Sequence, residues 1–430
     1  MPSRTTRAAL AAVVASLTAA TLLQTPATAA TAPETVAQQP TTHAATLPPL
    51  SASDQRMVTM LTRRDDNPAL GRDLAGVVTD AASTRVLYAA TRFERQLPAS
   101  TAKLLTAVNV LQSYGPAHRF TTTVRKGRYW SQVTLVGGGD PSLSSRSLDA
   151  MAAYTATALK AHGVKRVAVY VDDSLFPAPS LAYGWQSTYV PGEVRPVRAL
   201  VVNQHQVWDT SIDAGKVFAG RLAARGLSIA TVARARAVSG SPVLAASSGR
   251  RLDSMVGTML RSSDNDYAEA FHRLVALKTG YPATWSGAAA AQRSVLRGLG
   301  VDLGSSSMYD GSGLSRADRL TPQQLAAVLT LAVDGGHPRL VSLPGALPLA
   351  GRSGTLAPEF KRYTTWPTSC AAGNVQAKTG SLSGVVSLAG YARGADGRTK
   401  VFAFLLNGVP STLTTRQAVD RLATTITGCW

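Results

Sequence analysis

The sequence is short of cysteine, histidine and acidic residues, and each shortage closes off a class of function. Two cysteines, Cys370 and Cys429, in 430 residues leave no thiolate-rich metal cluster. The six histidines (His43, His118, His162, His205, His272, His337) are scattered and include no H-E-x-x-H pair, so no metal and no cofactor is expected. No G-x-S-x-G segment occurs, which removes the nucleophile elbow of a Ser-His-Asp esterase. Gly137, Gly138 and Gly139 are not followed by Gly-Lys-Ser/Thr, so the triplet is no nucleotide loop. Long apolar runs are missing too: the charge-free stretch over 8–23 is sixteen residues, short of the roughly 20 a membrane span needs. With 45% hydrophobic and 16% charged residues, the chain reads as globular and not as a disordered polyelectrolyte.

What the chain has in excess is positive charge. Lys+Arg 44 against Asp+Glu 25 gives +19, which in a cytoplasmic protein would make nucleic acid the first partner to consider. The N-terminus argues for another compartment. Arg4 and Arg7 precede the apolar stretch, and the small residues Ala27, Thr28, Ala29 and Ala30 follow it, which is the order of a secretory signal over 1–30, cleaved near Ala29 or Ala30. Residues 31–50, rich in Thr, Ala and Pro, then read as a disordered linker. The exported part keeps 42 basic residues against 25 acidic, about +17. Outside the cytoplasm such charge suits anionic wall polymers, a phospholipid surface or plain solubility, and no nucleic acid is expected. An even cysteine count in an oxidising compartment predicts a Cys370–Cys429 disulfide that pins the chain end.

Hydrophobic periodicity predicts a helix over 54–63, a hairpin over 73–88, a helix over 101–111 and alternating strands over 120–136. A helix over 148–162 and a strand over 164–171 follow, then a second helix-to-strand pass over 217–232. The stretch 246–250 reads as the seam back to the main domain. Beyond it, helices are expected over 254–260, 266–277, 288–299 and 322–333, strands over 375–393 and 400–406, and a closing helix over 418–427.

Three short segments carry the candidate chemistry. Ser100-Thr101-Ala102-Lys103 sets a hydroxyl and an amine one turn apart on one helix face, where a lysine of lowered pKa can take the serine proton. Ser263-Asp264-Asn265 offers a second hydroxyl for proton relay and an amide able to bind both a lysine and a substrate amide, although Ser, Asp and Asn are also ordinary helix caps. Lys378-Thr379-Gly380-Ser381 opens an alternating strand where a cation and a hydroxyl can meet a substrate carboxylate. A second K-T-G, at Lys278-Thr279-Gly280, ends a helix and reads as a C-terminal cap.

In this order, S-x-x-K, S-D-N and K-T-G match the set shared by β-lactamases and penicillin-binding proteins. The sequence resembles the class C low-molecular-mass penicillin-binding proteins, which are D-alanyl-D-alanine carboxypeptidases and endopeptidases. The resemblance extends to F-T-T-T-V at 120–124, G-G-D-P-S-L at 138–143, D-D-S-L-F at 172–176, Y-D-G-S-G-L at 309–314 and G-T-L at 354–356. It implies an α+β fold, with helices packed on an antiparallel sheet. The catalytic domain would be 51–118 and 246–430, with one inserted α/β domain at 119–245. The 163-residue spacing between Ser100 and Ser263 suits one insertion and not two nested ones. It further implies Ser100 as acylated nucleophile, Lys103 as its base, Ser263 as proton relay and Asn265 as orienter. Lys378 and Thr379 would meet the substrate carboxylate, Gly380 would keep the strand edge open, and the backbone N–H groups of Ser100 and Ser381 would form the oxyanion hole. Peptidoglycan stem peptides would be the substrates and β-lactams covalent inhibitors.

Two other readings compete. A β-lactamase of the same fold needs a base for its hydrolytic water, yet no Glu-x-x-x-Asn segment lies between Asn265 and Lys378, and Tyr267 is out of place for a Tyr-x-Asn motif. A non-catalytic wall-binding module could keep the fold and the charge, but every motif residue is present.

Overall fold

The computed structural model describes residues 49–430, so the expected signal peptide and almost all of the expected linker lie outside the described residues. Helix α1 (Ala52–Asp65), capped by the Ser51 hydroxyl on the Asp54 amide, leads into strands β1 (Leu74–Asp80) and β2 (Val86–Ala90). A 3-10 turn, Ala99–Ala102, runs directly into α2 (Lys103–Tyr114). Next come β3 (Thr121–Lys126), β4 (Gln132–Val136), α3 (Ser145–Ala161), β5 (Arg166–Asp172), α4 (Thr210–Ala223), β6 (Ser228–Arg234) and β7 (Val243–Ser248). Helices α5 (Leu252–Ser262), α6 (Asn265–Lys278), α7 (Trp285–Gly298), α8 (Pro322–Thr330) and the short α9 (Leu343–Ala346) follow. The chain closes with β8 (Gln376–Leu382), β9 (Val385–Arg393), β10 (Thr399–Asn407) and α10 (Leu413–Ile426).

The strands form two five-stranded sheets. The first, β2-β1-β10-β9-β8, is antiparallel at every pairing. Both of its faces are covered, and β10 shows why its sequence is apolar without a break. Val401, Ala403 and Leu405 enter a core shared with α2, α5, α6 and α8, while Phe402, Phe404 and Leu406 enter a second core with α1 and α10. Helix α6 runs through the larger core, and every residue from Tyr267 to Ala276 is buried. This α+β architecture is the one expected from the sequence.

The second sheet, β6-β5-β4-β3-β7, is mixed: β4, β5 and β6 are parallel, and β3 runs antiparallel to β4 and β7. Its core is its own, with Val133, Leu135, Val167 and Val169 set against Leu148, Met151, Phe218 and Leu222 of α3 and α4. The stretch read as a seam at 246–250 overlaps β7, whose Ala245 and Ala246 pair with Val124 and Thr123. After Val243 and Leu244, the Ala and Ser residues of β7 (A-A-S-S) carry little strand preference, and pairing with β3 imposes the conformation. Cys370 and Cys429 form the expected disulfide, with Cα atoms 6.1 Å apart. Among the described residues no helix is long and apolar enough to cross a membrane.

Candidate active site

The three motifs meet in a cleft of about 660 Å³ whose lining includes Ser100, Ser263, Asn265, Thr379 and Ser381. Ser100 belongs to the 3-10 turn, and Lys103 is the first residue of α2. In 3-10 geometry side chains at i and i+3 eclipse, so the S-x-x-K spacing stacks the amine directly over the hydroxyl. The turn is held from two sides by glycines. Ala99 has a positive φ of 47°, and a Cβ on Gly313, itself at φ 79°, would lie 2.0 Å from the Ala99 carbonyl oxygen. On the other side, a Cβ on Gly380 would lie 2.1 Å from Ser387 Oγ and 2.8 Å from the Pro98 carbonyl oxygen, so Gly380 faces the Ser100 turn and lets β8 close onto it. Ser387 Oγ donates to that same Pro98 oxygen at 2.7 Å.

Lys103 is fully buried, and its Nζ donates to Ser100 Oγ at 2.9 Å, Asn265 Oδ1 at 2.7 Å and the Ser312 carbonyl at 2.7 Å. The Asn265 amide is oriented by its other end, where Nδ2 donates to the Glu193 carbonyl at 2.8 Å. This arrangement has a chemical consequence. Two of the three neighbours, the Asn265 and Ser312 oxygens, can only accept hydrogen bonds. A neutral amine keeps two N–H bonds for them and is left with one lone pair, which then points at the one neighbour that has a proton to give, the Ser100 hydroxyl. Burial, opposed by Asp310, Glu269, Asp264 and Asp266, lowers the Lys103 ammonium to about 8, so neutral amine is accessible near physiological pH.

Asp264 caps α6 through its carboxylate on the Tyr267 amide at 3.0 Å, which leaves its neighbours Ser263 and Asn265 free to face the cleft. Ser263 sits at the end of α5 in the left-handed region, φ 60° and ψ 36°. Across the cleft, the buried Lys378 of β8 donates to Ser263 Oγ at 2.9 Å and to the Thr379 carbonyl at 2.8 Å. Burial, helped by the nearby Lys103, holds Lys378 well below the ordinary lysine range. Both lysines therefore stand among neutral oxygens, each within reach of a serine.

Four partners were not assigned a role from the sequence. Thr355 Oγ1 lies 2.7 Å from Thr379 Oγ1, and the G-T-L phrase at 354–356 was the signal for it. Glu193 and Ser312 act through backbone carbonyls, which no side-chain pattern announces. Glu269 is buried behind Ser312 and accepts from its amide at 2.8 Å. The second K-T-G closes α6, with Gly280 at φ 82°. Among the described residues no group of three or more His, Cys, Asp or Glu could hold a metal ion.

Residues 57–208 and 187–426 match the model of the D-Ala-D-Ala carboxypeptidase 3 (S13) family. A carboxypeptidase of Mycobacterium tuberculosis is 34% identical over 384 residues, covering 84% of this chain and 82% of that protein. A D-alanyl-D-alanine carboxypeptidase of Actinomadura is 28% identical over 443 residues, covering 80% of this chain and 79% of that one. Among solved structures, penicillin-binding protein 4 of Haemophilus influenzae shares the fold with a TM-score of 0.73 at 21% identity, covering 85% of this chain and 97% of that one. The same Haemophilus protein has been crystallised in complex with a β-lactam, and that structure gives a TM-score of 0.63 at 20% identity, covering 85% of this chain and 99% of that one.

Proposed function

The chain belongs to the D-Ala-D-Ala carboxypeptidase 3 (S13) family and is a serine-type D-Ala-D-Ala carboxypeptidase, and on that premise we propose a two-step acyl transfer through Ser100, driven by neutral Lys103. The single observation that carries the proposal is the Lys103 amine, 2.9 Å from Ser100 Oγ, with its other two contacts to oxygens that can only accept. Ser100 Oγ attacks the carbonyl carbon of the D-Ala-D-Ala bond while its proton passes to Lys103 Nζ. Backbone N–H groups of Ser100 and Ser381 hold the developing oxyanion, and Asn265 holds the substrate amide. Ser263, within 2.9 Å of Lys378, relays the proton taken up by Lys103 to the departing D-Ala amine as the carbon–nitrogen bond breaks, so Lys103 is a neutral amine again for the second step. Lys378 and Thr379 receive the terminal carboxylate. Water then attacks the ester on Ser100, with the same amine as base.

The same steps extend to two further substrates. A cross-linked stem peptide presents the same type of bond, which supports endopeptidase activity. A β-lactam presents a carboxylate and a strained amide to the same groups and would remain as an ester on Ser100. The basic, apolar, small order of residues 4–30 supports export, and the residual charge of about +17 supports retention on anionic wall polymers. Unchanged release from isolated walls across a salt series would count against retention. The catalytic proposal is tested with a stem pentapeptide ending in D-Ala-D-Ala and with a cross-linked muropeptide dimer. Wild type should release D-Ala and resolve the dimer, and Ser100→Ala should do neither; release by the variant would sink the proposal.

A further inference from the structure

Behind the cleft lies a cluster of buried carboxyl groups that the acyl-transfer steps do not use. Glu269, Asp310 and Asp318 are each fully buried, and the Arg273 guanidinium faces Glu269. Glu269 stands four residues after Asn265 on α6, so both project from one face of that helix. Asn265 reaches Lys103 directly, and Glu269 reaches it through one residue, Ser312. The Glu269 carboxylate accepts from the Gly311 amide at 3.0 and 3.1 Å and from the Ser312 amide at 2.8 Å. On the opposite side of the same backbone, the Ser312 carbonyl accepts from Lys103 at 2.7 Å and the Gly311 carbonyl accepts from Thr106 Oγ1 at 2.6 Å.

We propose that Glu269 is a positioning residue for Lys103: it holds the backbone of Gly311 and Ser312 so that the Ser312 carbonyl faces the amine, and its charge sets the amine's proton balance. The proposal rests on the reading of Lys103 as the base for Ser100. Two facts make the carboxyl suitable. It is held by neutral N–H donors and not by a direct ion pair with Lys103, so it steers the amine without quenching it. Burial and the neighbouring Asp310 also push its carboxyl up to about 8, the same range as Lys103, so the two groups exchange charge in one pH interval.

The other groups facing this pair come from each element packed on it. Asp264 and Asp266 open α6, where Gln204 and Arg195 respectively bind them. Asp310 lies in the 309–315 loop and accepts from the Gly313 and Ser315 amides and from Trp185 Nε1, with Asp318 behind it. Lys378 faces Lys103 from β8. His272 on α6 is pushed down by burial to about 3 and stays neutral.

The test is the pH dependence of acylation by benzylpenicillin, read by intact mass on the full chain, for wild type, Glu269→Gln and Glu269→Ala. Glutamine keeps an acceptor oxygen for both amides and removes the charge, so Glu269→Gln should still acylate, with its acid limb moved about one pH unit lower. Glu269→Ala loses the acceptor and should acylate about tenfold or more slowly at every pH. An acid limb of Glu269→Gln at the wild-type position would overturn the charge role, and a Glu269→Ala protein matching Glu269→Gln would overturn the positioning role. Failure of the underlying reading looks different: wild type would take no adduct, or Lys103→Ala would acylate as fast as wild type. Should Glu269→Gln not fold, 13Cε-lysine NMR of the wild type replaces it, with Lys103 identified by its loss in Lys103→Arg. Its titration should be broader than that of a single proton, and a one-proton curve would overturn the charge role.

Discussion

The protein buries lysines in two regions and treats them in opposite ways. Where β1 ends and β10 begins, Lys400 donates to Asp54 at 2.7 Å, Asp396 at 3.1 Å and Asp80 at 3.5 Å, and Arg398 joins the same three carboxylates. In the cleft, Lys103 and Lys378 donate to hydroxyl, amide and carbonyl oxygens, and the carboxylates stand one layer further back. All three side chains are essentially out of water. The three carboxylates around Lys400 pair its ammonium and tie α1 to the sheet, whereas an ammonium ringed by neutral oxygens has little to hold it charged. The difference between a structural and a reactive lysine in this fold is therefore the charge of its first neighbours and not its depth.

Exchanging these lysines one at a time puts that contrast at risk. The largest effect should be Lys103→Ala, which removes the base and should slow acylation by a penicillin about 10³-fold; a loss under tenfold would make the cleft lysine as dispensable to chemistry as Lys400. Lys378→Ala should follow, with a loss of about 10 to 100-fold for ligands that carry a carboxylate and little for an ester without one. Equal losses on both ligands would assign Lys378 to the nucleophile and not to the carboxylate.

A milder perturbation is pH. Only neutral Lys103 can accept the proton, and its fraction grows as pH rises through about 8, so below that value acylation should fall about tenfold per pH unit. An acid limb near the ordinary lysine value would mean that burial among neutral oxygens does not lower the amine. The smallest effect on chemistry should come from Lys400→Met. It leaves Asp54, Asp80 and Asp396 with Arg398 alone and should lower stability by roughly 3 kcal/mol in denaturant unfolding, while the folded fraction acylates as before.

Side-chain chemistry at fixed spacing was legible in the sequence, and backbone chemistry was not. Ser100, Lys103, Ser263, Asn265 and Lys378 could be singled out as hydroxyls, amines and amides at motif spacing, and the structure brings them together. Ser312 and Glu193 contribute carbonyls, which every residue has, so only the chain path assigns them. Glu269 belongs to none of the three motifs, and its partner amides are 42 and 43 residues away.

The elements show the same division. The strongly apolar β9 and β10 were read within a few residues, while the Ala and Ser end of β7 was read as a seam because its strand character comes from β3. Helix α3 begins at Ser145, three residues before the apolar spacing that marks it at 148, because the Ser144 cap and not a hydrophobic residue starts the turn. The 3-10 turn under Ser100 was read as ordinary helix, since glycines at 313 and 380, remote in sequence, set its geometry.

The most direct test of the central claim, that Ser100 is acylated with Lys103 as its base, is intact mass and peptide mapping of the protein after exposure to benzylpenicillin, followed over hours beside Ser100→Ala. One adduct is expected, on the peptide containing Ser100, that persists in wild type and is missing from the variant. An adduct of equal size on Ser100→Ala would contradict it, as would rapid drug hydrolysis with no lasting adduct, which a β-lactamase would give, or a folded wild type that takes no adduct at all.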